Sequence, residues 1–573
     1  MTQRRAGLSL LLGGLLSWLV LMPLLLLVVA SLRPSGFPLD EGWTLANYAA
    51  VYGAADFWRM GRATALFAVG ATSIALLLGT VITWLVERTN MPGAALARAL
   101  VILPMATPPL LLAIGWAMLL SPRAGILNVW GMATFGLSAA PFDIYSMGGM
   151  VFVEGLSLVP TTVLILAPAF RNMDPALEEA ALASGASGWR MCTRVLLPLL
   201  LPALLAAAIF LLIVSCLVFD IPGTLGMPAR IFLLSTRLYE LAVESPTGLP
   251  LYGPVSALAV MSLGLLLALG FLYHRLTRAA SRYRTITGRG FRPRRMALGG
   301  WRWAGLGFVV LYFLLAVGLP VGMLGWMSLM PFQQMPSWDA LALLTLDNHR
   351  ELLESLRTLE AAGNSLLVAI LSAAGVTLLA TLVGWAALRA RLPGARVLET
   401  LAFLPIAIPG VMLGVALLFV YVTMEPVLPI YGTVWILVVA YVTHYLSFGT
   451  RLAGGTMVQI HPELEEAGAA SGAGPGRVLR RITFPLFLPA AVAIWIWVVA
   501  HALRELSTAL MLSGRDNRTV PVLLWEAWSG GEPNRAAALG VWLVLILLLL
   551  LVGWEIAAAR LAARLQSRVE RPA

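Results

Sequence analysis

The chain has 573 residues, 60% of them hydrophobic and only 12% charged, about half the charged share of a soluble domain, which excludes a water-soluble fold of this length. Its formal charge of +11 sets 39 arginines against 28 acidic residues, with no lysine anywhere, so the Walker A lysine and any Schiff-base amine are excluded, and any ATP would have to be hydrolysed by another chain. The two cysteines, Cys192 and Cys216, are too few for a zinc cage or a disulfide framework.

Stretches of about 20 apolar residues, the length that crosses a bilayer, recur twelve times. In the first half they run near 8–31, 63–86, 99–120, 147–170, 196–219 and 251–273. In the second they run near 303–330, 364–388, 399–423, 433–456, 483–503 and 536–559. The first follows Arg4 and Arg5, and its 24 residues exceed the ~7–15 of a signal-peptide core, so it is read as an uncleaved span. Pro104, Pro108 and Pro109, and again Pro405 and Pro409, predict kinked or broken spans. The expected fold is an all-α polytopic membrane protein of two six-helix halves.

With both termini inside, the inner connections hold 27 of the 39 arginines but only 10 of the 28 acidic residues. The positive-inside rule fixes this orientation and accounts for the basic balance without nucleic acid. Residues 275–302 carry nine arginines with Gly288, Gly290 and Pro293, and read as a basic cytoplasmic linker between halves 1–274 and 303–573. Six spans per half is an even number, so the halves are parallel repeats about an axis along the membrane normal.

Shifting the chain on itself by 287 residues aligns 177–203 with 464–490 without gaps, and 15 of the 27 positions are identical. Spans match by composition alone, whereas a polar inner loop keeping Glu, Gly, Arg and Pro at fixed offsets is a duplication. Asp174-Pro175 reads as a cap with proline at the first helical position, and Glu178 and Glu179 sit at the favourable end of the helix dipole. Gly185 suits a left-handed bend before a second segment. In the other copy His461-Pro462 opens the helix with a weaker cap, Glu465 and Glu466 follow, and Gly472 supplies the bend.

These residues resemble the inner-face signature of permease subunits of binding-protein-dependent ABC importers: E-A-A, three residues, G, nine residues, I, one residue, L-P. It stands here as Glu179-Ala180-Ala181, Gly185, Val195, Leu197-Pro198, and again as Glu466-Ala467-Gly468, Gly472, Ile482, Phe484-Pro485. The departures are Val for Ile, Gly for Ala and Phe for Leu, and Gly468 costs about 1 kcal/mol of helix propensity relative to Ala. The resemblance implies that Glu178, Glu179, Ala180, Gly185, Glu465, Glu466, Ala467 and Gly472 form coupling helices docking on a dimer of ATP-binding subunits. It further implies a bacterial inner-membrane location, cytoplasmic termini, a periplasmic substrate-binding protein, no cofactor and no catalytic residue.

The stretches Phe219 to Glu240 and Arg504 to Leu510 are similar to the ferric-iron branch of that family, with thiamine, phosphonate and polyamine permeases alike in layout. Ionisable residues in or near spans are costly and usually face a bundle interior or wet cavity. Glu154, Asp220, His444, His501, Arg504 and Glu505 are therefore the candidate substrate-pathway residues, against the plainer reading that they hydrogen-bond helices together or pair, as Arg504 could with Glu505 or Asp220. An ion-coupled secondary transporter is the alternative class, but it predicts its best repeat within spans or basic loops rather than in an acidic amphipathic loop.

Overall fold

A computed structural model describes residues 2–173, 180–181, 183–185, 187–243, 250–280, 296–389 and 392–569. Among these the structure is helical, with a single isolated bridge between Thr89 and Met296. Among the described residues ten helices are long and apolar enough to cross a membrane. They are Gly7–Ser31, Phe57–Arg88, Met147–Arg171, Thr193–Leu217, Tyr252–Tyr273, Trp301–Ser328, Leu356–Leu388, Val434–Gln459, Gly476–Ala502 and Pro533–Gly553. Two bent pairs, Ala94–Ala106 with Pro109–Leu120 and Ala395–Ile406 with Gly410–Thr423, bring the number to 12 if each is one span. Spans are numbered below on that basis, the bent pairs being the third and the ninth.

The bends, 94° and 115°, fall at the prolines that predicted them. Each first arm tightens into a 3₁₀ turn carrying Pro104 or Pro405. The next residues, Thr107 and Ile408, take extended backbone (ψ 124° and 115°) ahead of Pro108 and Pro409, the conformation that a following proline imposes. Broken backbone at membrane depth is tolerated only inside protein or along a cavity, and Thr107 and Ile408 are both buried. The second arms are buried on nearly every side, as helices apolar all round must be.

Chain packing gives two compact units, Met1–Gly53 with Leu238–Met261 and His349–Ala573, and Ala54–Arg237 with Ser262–Asn348. The first span is thus gathered with spans of the second half, and the seventh with spans of the first. Within the first unit Trp18 donates its indole N–H to the Tyr421 hydroxyl at 3.3 Å. Within the second, Tyr312 donates its hydroxyl to the Leu156 carbonyl at 3.3 Å.

Several local devices repeat. The first and seventh spans each contain one π turn, Ser17–Leu21 and Leu314–Gly318, immediately before a helix with Pro23 or Pro320 in its first turn. Proline removes an N–H and crowds the carbonyl four residues back, and a π turn relieves both. The loops that follow are tied alike. Asn47 donates its amide to the carbonyls of Ser31 and Arg33 (3.0 and 2.7 Å), and Asn348 to those of Ser328 and Met330 (3.0 and 2.8 Å).

Candidate functional site

The second copy of the repeated loop is described throughout. His461 precedes the helix Pro462–Ala470 without a side-chain cap, in line with the weak cap expected, and Glu463 and Glu465 lie in the first turn. The helix ends as Ser471 N–H reaches Ala467 O and Ala473 N–H reaches Gly468 O at 3.0 and 3.1 Å. Gly472 between them adopts φ +81°, the left-handed turn that glycine takes without steric cost. A short helix Pro475–Val478 and a π turn Leu479–Thr483 then lead into Phe484–Ala502. In the first copy Gly185 has φ +77°, and Gly188–Met191, the π turn Cys192–Leu196 and Leu197–Leu217 follow in the same order. Ala180 is exposed beside it, while Asp174, Pro175, Glu178 and Glu179 lie outside the described residues.

The two adjacent glutamates of the second copy face differently, as a turn of about 100° per residue requires. Glu466, Ala467 and Leu464 are exposed. Glu465 points inward: Thr483 Oγ1 donates to its Oε1 at 2.7 Å, and Arg389 Nε lies 3.5 Å from the same oxygen. Arg389 closes the eighth span, its side chain only 8% exposed, and its Nη2 donates to the carbonyls of Met457 (2.7 Å) and Ile460 at the end of the tenth. The second span closes on the buried Arg88, whose Nη1 donates to Met173 O at 3.3 Å, just ahead of the first loop. Beside it Arg171 forks onto Glu87 with two 2.8 Å bonds, and Arg98 adds a second fork at 3.2 and 3.4 Å.

Gly468 has a packing reason for its departure from the signature. A Cβ there would stand 2.6 Å from Ile482 Cδ1, and Ile482 is the isoleucine of the same signature. The first copy carries Ala181 and Val195 at these two places, one methyl more on the helix and one fewer opposite.

Among the intramembrane candidates, those of the first unit converge. Glu505 Oε1 accepts the Thr508 N–H and hydroxyl, both at 3.0 Å, and its Oε2 accepts the Tyr445 hydroxyl at 3.2 Å. Tyr441 donates to the Glu505 carbonyl at 3.2 Å. His501 sets Nδ1 2.8 Å from Trp497 O and stacks on Trp497, which stacks in turn on Phe448. His444 meets Tyr445 edge-on, and Arg504 follows through a backbone bond to His501 O at 3.2 Å. In the second unit Glu154 is 1% exposed; Ser157 donates to its carbonyl at 2.9 Å and to Oε2 at 3.4 Å. Among the described residues no three His, Cys, Asp or Glu side chains are grouped to hold a metal ion.

Sequence reading missed Arg389, Tyr441, Tyr445, Phe448 and Trp497. The four-residue spacings His444 to Phe448 and Trp497 to His501 were a usable signal, since such pairs share a helix face.

The family described as binding-protein-dependent transport system inner membrane component matches the chain twice, over residues 75–282 and 377–567. The Fe(3+)-transport system permease protein FbpB 2 of Haemophilus influenzae is 23% identical over 482 residues, covering 84% of this chain and 86% of that protein. The ferric transport system permease protein FbpB of Actinobacillus pleuropneumoniae is 24% identical, over 81% of this chain and 66% of that protein. The trehalose/maltose transport system permease protein MalF of Thermococcus litoralis is 28% identical, over 41% of this chain and 79% of that protein.

Proposed function

The chain belongs to the binding-protein-dependent transport system inner membrane components, as a fused permease matching the family once in each half, and on that premise we propose that it imports ferric iron. In this reading a periplasmic binding protein delivers the substrate, and a separate ATPase dimer drives transport from the cytoplasmic face. The repeats are the halves 1–274 and 303–573, with 275–302 as a cytoplasmic linker, and both termini lie in the cytoplasm; the arginine partition supports this orientation.

The observation that carries the coupling role is the bent loop. Both copies turn at a left-handed glycine, Gly185 and Gly472. The fully described copy presents Leu464, Glu466 and Ala467 to solvent, a small apolar and acidic face open to a partner. Glu179 is the matching residue of the first copy. ATP-driven closure of the partner dimer would move both loops and rock the permease between inward-open and outward-open states.

Iron is favoured because two relatives named for ferric transport align over more than four-fifths of this chain. The surplus of acidic residues away from the inner face suits a cation, and Glu154, Asp220, His444, His501, Arg504 and Glu505 are the proposed pathway residues. Deleting the gene and measuring uptake of radioactive ferric iron, thiamine, phosphonate and polyamine tests the substrate. Loss of iron uptake alone is expected; intact iron uptake with loss of another substrate refutes iron and leaves the permease reading standing.

A further inference from the structure

Arg88 and Arg389 close the second and eighth spans, the corresponding spans of the two halves. Each guanidinium turns to the carbonyls where the chain leaves a span for a repeated loop: Met173 O in one half, Met457 O and Ile460 O in the other. The Met457 and Ile460 carbonyls belong to a helix end with no intrahelical donors left, where the helix dipole favours a cation, and Met173 lies one residue past the cap of its helix. Arg389 goes further, since its Nε approaches Glu465, which also accepts from Thr483 at the start of the eleventh span. One side chain thus ties the eighth span to the tenth span's end and to the loop helix, and through Glu465 to the eleventh. Both carbonyls are served by one nitrogen, Nη2, while Nε holds Glu465 as a 3.5 Å ion pair without a hydrogen bond.

We propose that Arg88 and Arg389 are positioning residues that lock the coupling loops to the second and eighth spans, so that displacement of a loop by its ATPase partner moves those spans with it. Glu465 is then part of this internal lock, and Glu466 the outward contact. The proposal rests on the coupling role argued above and adds the connection from loop to span.

The test uses the assembled complex of permease, ATPase and binding protein in lipid nanodiscs and proteoliposomes, with ferric iron as substrate. The quantity read is iron transported per ATP hydrolysed, alongside the amount of ATPase retained on pull-down. Arg389→Ala is expected to lower iron per ATP about tenfold, the scale of one lost charge-assisted hydrogen bond, with ATPase still retained. Arg88→Ala acts in the same direction, and Arg389→Lys falls between the alanine variant and the parent.

A second readout does not depend on the substrate. Spin labels at the exposed positions 378 and 463 report the distance between the eighth span and the loop helix. In the parent that distance stays single and unchanged by ATP with vanadate; in Arg389→Ala it broadens or shifts on trapping. Where Arg389→Ala fails to assemble, Arg389→Lys is read in its place. Unchanged iron per ATP and an unchanged label distance in the arginine variants overturn the lock. A fall in the amount of complex with iron per ATP unaltered overturns it too, since a merely structural role does that. Glu466→Arg separates the readings: normal ATPase retention and normal uptake there sink the coupling role itself, whereas impairment there with normal arginine variants sinks only the lock.

Discussion

The contact between Gly468 and Ile482 supports a quantitative prediction. Giving residue 468 a Cβ places a carbon 2.6 Å from Ile482 Cδ1 and 3.4 Å from Val478 Cγ2, whereas carbons pack at roughly 3.5–4.0 Å. Gly468→Ala therefore gains about 1 kcal/mol of helix propensity and loses about 1–3 kcal/mol to overpacking, a net destabilisation of up to about 2 kcal/mol. Ile482→Val deletes the offending methyl and alone costs about 0.5–1.5 kcal/mol. In the double variant the new methyl occupies the space that Cδ1 vacates, so the two costs do not add, and a coupling energy of about 1–2 kcal/mol is expected. The first copy already carries that combination as Ala181 and Val195. Because the contact is local, the assay is amide hydrogen exchange of the Pro462–Ala470 helix in nanodiscs, read as opening free energies for the four members of the cycle. Additivity to within about 0.3 kcal/mol would refute the reasoning.

Three further outcomes are expected. Gly472→Pro or Gly185→Pro forces φ to about −65° where +81° and +77° are used, and should abolish uptake while the protein remains in the membrane; normal uptake in both sinks the bend as a requirement. On a background lacking Cys192 and Cys216, a single cysteine at 288 should resist impermeant thiol reagents added to intact cells, and labelling there overturns the orientation. Asn47→Ala and Asn348→Ala each strand two carbonyls that now accept from one amide, and each should lower stability in detergent by about 1–3 kcal/mol, with losses that add because the sites are separate.

How much of this was legible beforehand differs by element for physical reasons. The spans, the two breaks and the left-handed glycines follow from short-range rules: run length, the residue before a proline, the φ that glycine alone takes freely. The loop was legible because it occurs twice. The paired asparagines also occur twice, in Thr44-Leu45-Ala46-Asn47 and Thr345-Leu346-Asp347-Asn348, and escaped only because their offset differs from that of the repeated loops. Which of Glu465 and Glu466 faces inward was not legible, since the answer lies with Arg389, at the far end of another helix. Nor could sequence show that Gly468 answers Ile482, because an extra methylene is a matter of packing, not of pattern.

Glu505 shows where pattern and structure leave a question that one substitution series answers. Its place just past the end of a span marked it as a pathway residue, yet both its oxygens are occupied, by Thr508 and by Tyr445. Glutamine keeps an acceptor for Thr508 and offers an amide to which the Tyr445 hydroxyl can turn its oxygen, so Glu505→Gln preserves the geometry and removes only the charge. Glu505→Ala removes both and should cost about 1–3 kcal/mol of stability for the donors left unmatched. A carboxylate acting on a passing cation at roughly 4 Å is worth several kcal/mol in a partly desolvated setting, so a slowing of at least about tenfold in iron uptake is expected of the glutamine variant at unchanged thermal stability. Normal uptake by Glu505→Gln, with Glu505→Ala unstable, would make the residue a helix tie and remove it from the pathway.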